Sequence, residues 1–198
     1  MGEEGTLAAA EVVLIMNSFR SNRRAFHDSL RLRKLLDWRL VDYIVVDINS
    51  EMHTGETQDR VLLEHWKTYG VLRPEPGTEG NSGRCMTPQV LFDGISVGGL
   101  LDVQDLEEED LLDGVIDGQL CPSCQTARTG STDEQPNCEG CGAALFKLVP
   151  REYLAHGAVM VFRAGQRVNE EYQEYEGDGA EEEGEQAQAA EEPETQNE

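Results

Sequence analysis

Four cysteines carry the clearest chemistry in this chain. Cys121-Pro122-Ser123-Cys124 and Cys138-Glu139-Gly140-Cys141 form two C-x-x-C pairs separated by thirteen residues. In such a pair the two sulfurs can turn toward one ion, and two pairs complete a tetrahedron of thiolates around zinc. Pro122 stiffens the first turn, and Gly140 and Gly142 suit the tight backbone of the second. The segment between the pairs, Gln125 to Asn137, is polar, so metal binding and folding of this stretch are expected to be coupled. One structural zinc held by Cys121, Cys124, Cys138 and Cys141 is the leading reading. An iron–sulfur cluster on the same four thiolates is a second. Cys121-Pro122-Ser123-Cys124 also reads as a C-P-x-C redox motif, which is a third.

The elements around this module are legible from periodicity. Glu11 to Asn17 is an apolar run of strand length and reads as a buried central strand. Ser21 is the expected N-cap of a helix over Asn22 to Asp37. That helix would have Phe26, Leu30, Leu32, Leu35 and Leu36 on one side, with Arg20, Arg23, Arg24, Arg31, Arg33 and Lys34 supplying a basic side. Val41 to Asp47 reads as a second strand. Thr57 to Tyr69 reads as a helix with Leu62, Trp66 and Tyr69 on its apolar side. Gly70 to Arg84 is a Gly- and Pro-rich loop. Pro88 to Phe92 reads as a third strand, joined through an Asp93-Gly94 turn to a fourth at Ile95 to Val97. Asp102 to Val115 reads as a final amphipathic helix. The order β-α-β-α-β-β-α is that of the thioredoxin-like fold. Beyond Gly118, Leu145 to Val149 and Val159 to Phe162 are expected to pair as a hairpin beside the metal.

A redox cysteine in that fold belongs after the first strand, at a helix N-terminus, where the thiolate is stabilised. From Asn17 to Arg24 there is no cysteine. A serine hydroxyl cannot perform thiolate exchange, so Ser18 and Ser21 read as capping residues. The C-P-x-C pair instead follows the last helix, and a second pair matches it. Cys85, three residues before Pro88, reads as an inert filler with a minor redox alternative. His27, His53, His65 and His156 show no mutual metal-ligand spacing, and His156 is a spare ligand at most.

Charge is unevenly distributed. The formal charge is −23, and residues 169–198 hold thirteen Asp or Glu and no Lys or Arg, leaving −10 on the first 168 residues. A stretch so acidic and poor in apolar residues cannot bury enough surface to offset its ordering entropy. The expected organisation is a flexible N-terminus (1–10), an α/β domain (11–117), a zinc-ribbon or knuckle module (118–168) and a disordered acidic tail (169–198). Sixteen basic residues against thirty-nine acidic ones argue against nucleic-acid binding. No apolar run reaches spanning length, so no transmembrane segment is expected. The first residues lack a secretory pattern, so a reducing cytoplasmic setting is expected, favouring metal over disulfides.

Met86-Thr87-Pro88-Gln89-Val90-Leu91-Phe92-Asp93-Gly94-Ile95-Ser96-Val97-Gly98-Gly99 is similar to the glutaredoxin stretch that bears a cis-proline and a glycine pair. Ser18-Phe19-Arg20-Ser21-Asn22-Arg23-Arg24, followed later by C-x-x-C pairs, resembles the glutaredoxin domain-containing cysteine-rich proteins. The likeness covers about residues 11–145. It implies a thioredoxin/glutaredoxin-like fold whose glutathione-like groove is shaped by Thr87 and Pro88. Gly98 and Gly99 would allow close backbone approach at the last helix, and Asp102 would lie near the ligand's amino group. It also implies protein partners in a cytoskeletal or ciliary setting. The resembling proteins tend to carry more C-x-x-C pairs, so one metal rather than two is expected here. Two functions follow: a non-catalytic zinc-binding interaction or structural protein, or a glutathione-dependent thiol-disulfide oxidoreductase using Cys121/Cys124 or Cys85. The sequence leaves oligomeric state open.

Overall fold

The structure is a computed structural model that describes residues 8–49, 59–75, 84–155 and 159–163. The expected acidic tail, His53, His156 and most of the N-terminal segment lie outside the described residues.

The elements run β1 (Val12–Met16), α1 (Arg23–Trp38), β2 (Tyr43–Asp47), α2 (Asp59–Thr68), β3 (Gln89–Phe92), β4 (Ile95–Gly98), α3 (Leu100–Glu108), α4 (Leu112–Ile116), α5 (Arg151–Ala155) and β5 (Met160–Phe162). They build one sheet in the order β4-β3-β1-β2-β5. β1 is parallel to β2 and antiparallel to β3, and β3 is antiparallel to β4. This strand order and the β-α-β-α-β-β-α succession make the body a thioredoxin/glutaredoxin-like α/β fold.

β1 sits mid-sheet, and all five of its residues are buried. A strand covered on both faces needs no polar alternation, which explains its continuous apolar run. Its side chains divide by parity. Val12, Leu14 and Met16 join Leu32, Leu35 and Leu36 of α1 and Val103, Leu106, Leu112 and Val115 of α3 and α4. Val13 and Ile15 face the other way, with Leu62, Leu63 and Trp66 of α2.

Four helix ends close the same way. A residue at positive φ follows the helix, and its N–H and the next one bond back to carbonyls three and five residues earlier. Gly70 (φ 67) ends α2 and Gly118 (φ 69) ends α4, but Leu40 (φ 53) ends α1 and Asp110 (φ 56) ends α3. This is the Schellman closure, which favours glycine because other residues are strained there.

Several expectations are corrected. The helix expected over Asp102 to Val115 is two helices, because Asp110 turns left-handed and Leu111 N–H returns to Leu106 O. The N-cap of α1 is Asn22, not Ser21; its Oδ1 accepts the Ala25 N–H at 3.3 Å, and Ser21 lies one residue too early. Tyr69 is 71% exposed rather than on the apolar side of α2. The expected hairpin of 145–149 with 159–162 does not form. β5 instead pairs antiparallel with β2, Tyr43 opposite Phe162 and Val45 opposite Met160. β2 would otherwise present an open edge of N–H and C=O groups, which a local hairpin would leave unpaired. Phe162 stacks on Tyr43 with ring centroids 5.3 Å apart, and the Arg33 guanidinium lies 4.1 Å from its ring centroid.

Asp93 and Gly94, both at positive φ (45° and 81°), form the β3–β4 turn as their sequence demands. Leu148 and Val149 lie buried on the α2 face of the sheet, where both backbone N–H groups donate to the Glu11 carboxylate. Burial raises the Glu11 pKa above its ordinary value, and these two N–H groups oppose that rise.

Candidate metal centre

The two cysteine pairs fold into equivalent turns, seventeen residues apart. In the first, Cys121 N–H donates to Thr126 O, Gln125 N–H to Cys121 O, and Arg128 N–H to Gln119 O. In the second, Cys138 N–H donates to Ala143 O, Gly142 N–H to Cys138 O, and Leu145 N–H to Pro136 O. Matching β-bridges, Leu120 with Ala127 and Asn137 with Ala144, close the two loops. Both need a left-handed residue after the second cysteine, and Gln125 (φ 56) and Gly142 (φ 72) supply it. The repeat therefore extends over ten residues, well beyond the cysteines that announce it.

The turns face each other. The four Sγ atoms all lie within 4.8 Å of one another. Cys121 Sγ is 3.9 Å from Cys141 Sγ, and Cys124 Sγ is 3.6 Å from Cys138 Sγ. A regular tetrahedron with Zn–S bonds of about 2.3 Å has edges of about 3.8 Å. These cysteines are free rather than disulfide-bonded, so the four sulfurs can hold one metal ion with little rearrangement.

Their surroundings differ. Cys121 and Cys138 are buried, while Cys141 is exposed. Burial pushes the Cys121 thiol up to about 12. The Thr126 hydroxyl, 3.3 Å from Cys124 Sγ, and the Thr126 backbone draw Cys124 down to about 6. Gly140 is required by a close approach: a Cβ there would come 2.6 Å from Thr126 Oγ1.

The module is fastened to the body by charge. Arg128 Nη1 donates to Asp93 Oδ2 at 2.9 Å, with both side chains only 2% exposed. Thr132 Oγ1 donates to the same Asp93 oxygen at 2.6 Å, and Glu11 N–H donates to Asp93 Oδ1 at 2.9 Å. Sequence reading missed this cluster. Its one visible signal is that Arg128 is the sole basic residue between the cysteine pairs.

The second group of expected site residues gathers elsewhere. The Thr87–Pro88 peptide is cis. Thr87, Pro88, Gly99 and Asp102 line a depression of about 930 Å³, together with Arg24 and Leu101. A second depression of about 590 Å³ shares Thr87 and is lined by Asn17, Ser21, Asn22, Lys67 and Cys85. Gly98, at φ 135°, lies against Asp102; a Cβ there would fall 2.2 Å from the carboxylate. Asp102 is already engaged: its Oδ2 accepts the Gly99 N–H at 2.7 Å, capping α3. Its Oδ1 is 3.8 Å from Arg73 Nη1. Gln89, fully buried, starts β3 just after Pro88. Its Oε1 accepts from Arg73 N–H and Ser96 Oγ, and its Nε2 donates to Met86 O.

At the β1–α1 turn the side chains are Asn17, Ser18, Phe19, Arg20, Ser21 and Asn22, with no thiol. Asn17 Oδ1 accepts the Phe19 N–H at 2.8 Å, and Asn17 N–H donates to Ser29 Oγ at 3.1 Å. These are structural bonds. Cys85 lines the smaller depression and is not part of the cysteine cluster, and burial raises its pKa. His27 contacts Phe26 and His65 contacts Tyr69; neither joins the sulfur group. No helix among the described residues is long and apolar enough to cross a membrane.

No protein-family model matches the chain, and no curated protein shows significant similarity to it. Among solved structures, the holo form of glutaredoxin C1 from Populus tremula x tremuloides is similar over 62% of this chain and 86% of that chain. The sequence identity is 18% and the TM-score is 0.37, so the fold assignment rests on the strand order above.

Proposed function

We propose that this chain is a non-catalytic, glutaredoxin-like zinc protein that works by binding other proteins. The observation that carries this reading is the cysteine cluster: four sulfurs at tetrahedral spacing on two turns with the same backbone bonds. The cluster's residues Cys121, Cys124, Cys138 and Cys141 would hold one zinc, which would lock the two turns together. The absence of a thiol between Asn17 and Arg24 supports the non-catalytic part. So does the half-buried Cys85, whose raised pKa disfavours the thiolate that exchange chemistry requires.

In this reading the groove at Thr87, Pro88, Gly98, Gly99 and Asp102 is a binding surface. Glutathione is one occupant to test, as the resemblance implies. Asp102 bears on that test, because its carboxylate already accepts one of the N–H groups at the start of α3. The protein partner and a cytoskeletal or ciliary setting rest on the resemblance alone.

A thiol-disulfide oxidoreductase using Cys121 and Cys124 is the second reading. It is favoured by the Thr126 contact that lowers the Cys124 pKa. Native mass spectrometry of chelator-free protein, with and without glutathione, separates the two. The zinc reading expects a mass gain of one zinc and four thiols protected from alkylation. Metal-free protein with an oxidised Cys121–Cys124 pair, or a glutathione adduct on cysteine, would replace it with the oxidoreductase.

A further inference from the structure

The β3–β4 hairpin touches both regions described above. One end carries Thr87, Pro88 and Gly99, which line the groove, with Gly98 against Asp102. The other end is the Asp93-Gly94 turn, and three separate parts of the cysteine module grip it. Arg128, closing the first cysteine turn, donates to Asp93 Oδ2. Thr132, from the segment between the turns, donates to the same oxygen. Phe146, just after the second turn, donates its N–H to Asp93 O at 3.0 Å. Its ring also closes over Gly94, where a Cβ would come within 2.9 Å of it.

We infer that the metal state of the cysteine module sets the rigidity of the β3–β4 hairpin, and through it the groove around Pro88. This rests on the metal reading given above. Between Leu120 and Ala144 the backbone has no helix or strand, only turns and isolated bridges. Four sulfurs on one ion are therefore the main constraint on where Arg128 and Thr132 stand. Arg128 is positioned by its own N–H bond to Gln119 O at 2.7 Å and by Nη2 donating to Thr132 Oγ1 at 2.9 Å. Both bonds belong to the module. If the sulfurs part, the guanidinium loses its register and Asp93 keeps a buried charge without its partner, which a folded chain avoids by moving. The strain then passes along β3 and β4. Their register already shifts between Val90 and Leu91. At the groove end, Gln89 ties the hairpin to the backbone of Arg73 and Met86. Linkage makes the effect reciprocal: an occupant that stiffens the hairpin tightens metal retention.

Hydrogen exchange read by mass spectrometry on the full chain tests this, zinc-loaded and chelator-stripped. The variant is Arg128→Leu, which gives the first turn the residue that the second has at the same place, Leu145. In the wild type, stripping should speed exchange across 86–99 by at least about fivefold, the lower end of usual coupling. Exchange in Val13–Ile15 should stay unchanged. Zinc-loaded Arg128→Leu should already exchange at the stripped level in 86–99 and should not respond to chelator. The inference is overturned if stripping speeds exchange in 119–145 but leaves 86–99 unchanged. It is also overturned if Arg128→Leu responds to stripping as the wild type does. Should Arg128→Leu fail to fold, Thr132→Val removes one bond to the same carboxylate. Its zinc-loaded hairpin should exchange between the wild-type and stripped rates, and wild-type exchange would overturn the inference. A chain that binds no zinc overturns the metal reading and this coupling together, and native mass rather than exchange reports that outcome.

Discussion

The two cysteine turns have one backbone plan and two different anchorages. Each pairs the same N–H and C=O groups and presents two sulfurs to the same point. The first turn has Cys121 and Pro122 buried, and its tenth residue, Arg128, forms a buried ion pair with Asp93. The second has Glu139 to Gly142 exposed, and its tenth residue, Leu145, is a buried apolar side chain. After it, Glu11 holds the chain down through two backbone bonds. The comparison shows how local and tertiary demands separate. The cysteine spacing and the left-handed fifth residue of each C-x-x-C-x run build the turn, while a position three residues later decides what the turn docks against.

The sharpest way to break the comparison is to remove one sulfur from each turn. Cys121→Ser and Cys141→Ser should both abolish stoichiometric zinc, measured by native mass. Structural zinc contributes about 10–16 kcal/mol of apparent binding free energy in small zinc-finger peptides, so this is the largest effect expected. Cys121→Ser should also lower the melting temperature further than Cys141→Ser, because it leaves a hydroxyl at a buried site and the other does not. Equal melting temperatures would mean that the two turns contribute alike.

Breaking the ion pair comes next. Arg128→Leu leaves the buried Asp93 carboxylate with only the neutral donors Thr132 Oγ1 and Glu11 N–H and should cost about 3–5 kcal/mol in urea denaturation. Adding Asp93→Asn should restore part of this, since the uncompensated charge is then gone. A loss below about 1 kcal/mol, the ordinary worth of a surface pair, would show that the pair is not desolvated as its 2% exposure indicates.

Smaller effects sharpen the match between the turns at their left-handed residue. Gln125→Gly should stabilise and Gly142→Ala should destabilise, each by about 1 kcal/mol. A Gln125→Gly variant that is less stable would require a side-chain role for Gln125 that outweighs its backbone strain.

The smallest effect concerns the Glu11 anchor. Its folded-state pKa is raised by burial, so the folded state holds this proton more tightly than the unfolded chain does. Its contribution to stability is therefore fully present below the unfolded value near 4.5 and declines as pH rises through the folded value. Relative to Glu11→Gln, the wild type should lose stability as pH increases from about 4.5 toward neutrality. Thermal melts of both proteins across that range check the sign. A difference independent of pH would mean that Glu11 does not titrate in this window.

Much of the fold was legible in the sequence. β1 could be read from its unbroken apolar run, and the β3–β4 turn from Asp93-Gly94. The ends of α2 and α4 are marked by Gly70 and Gly118. The same closure at Leu40 and Asp110 was invisible, and α3 and α4 therefore read as one helix. No local preference announces a Leu at positive φ, and that of Asp is too weak to mark Asp110 within an acidic helical run; surrounding contacts hold both there. Likewise Asn22 and Ser21 are both good caps, and only the helix start chooses between them.

The candidate metal site divides along the same line. The spacing of Cys121, Cys124, Cys138 and Cys141 determined two turns that can share one ion, because bonds within each C-x-x-C loop are short-range and follow from residue type. The missing thiol between Asn17 and Arg24 was equally plain. Tertiary structure alone decided that β5 caps the free edge of β2 and that Arg128 meets Asp93 thirty-five residues away. Both join parts of the chain far apart in sequence, where position is set by the close-packed fold rather than by neighbours. The Asp102 bond to Gly99 N–H, three residues back, is by contrast a local capping contact at the start of α3.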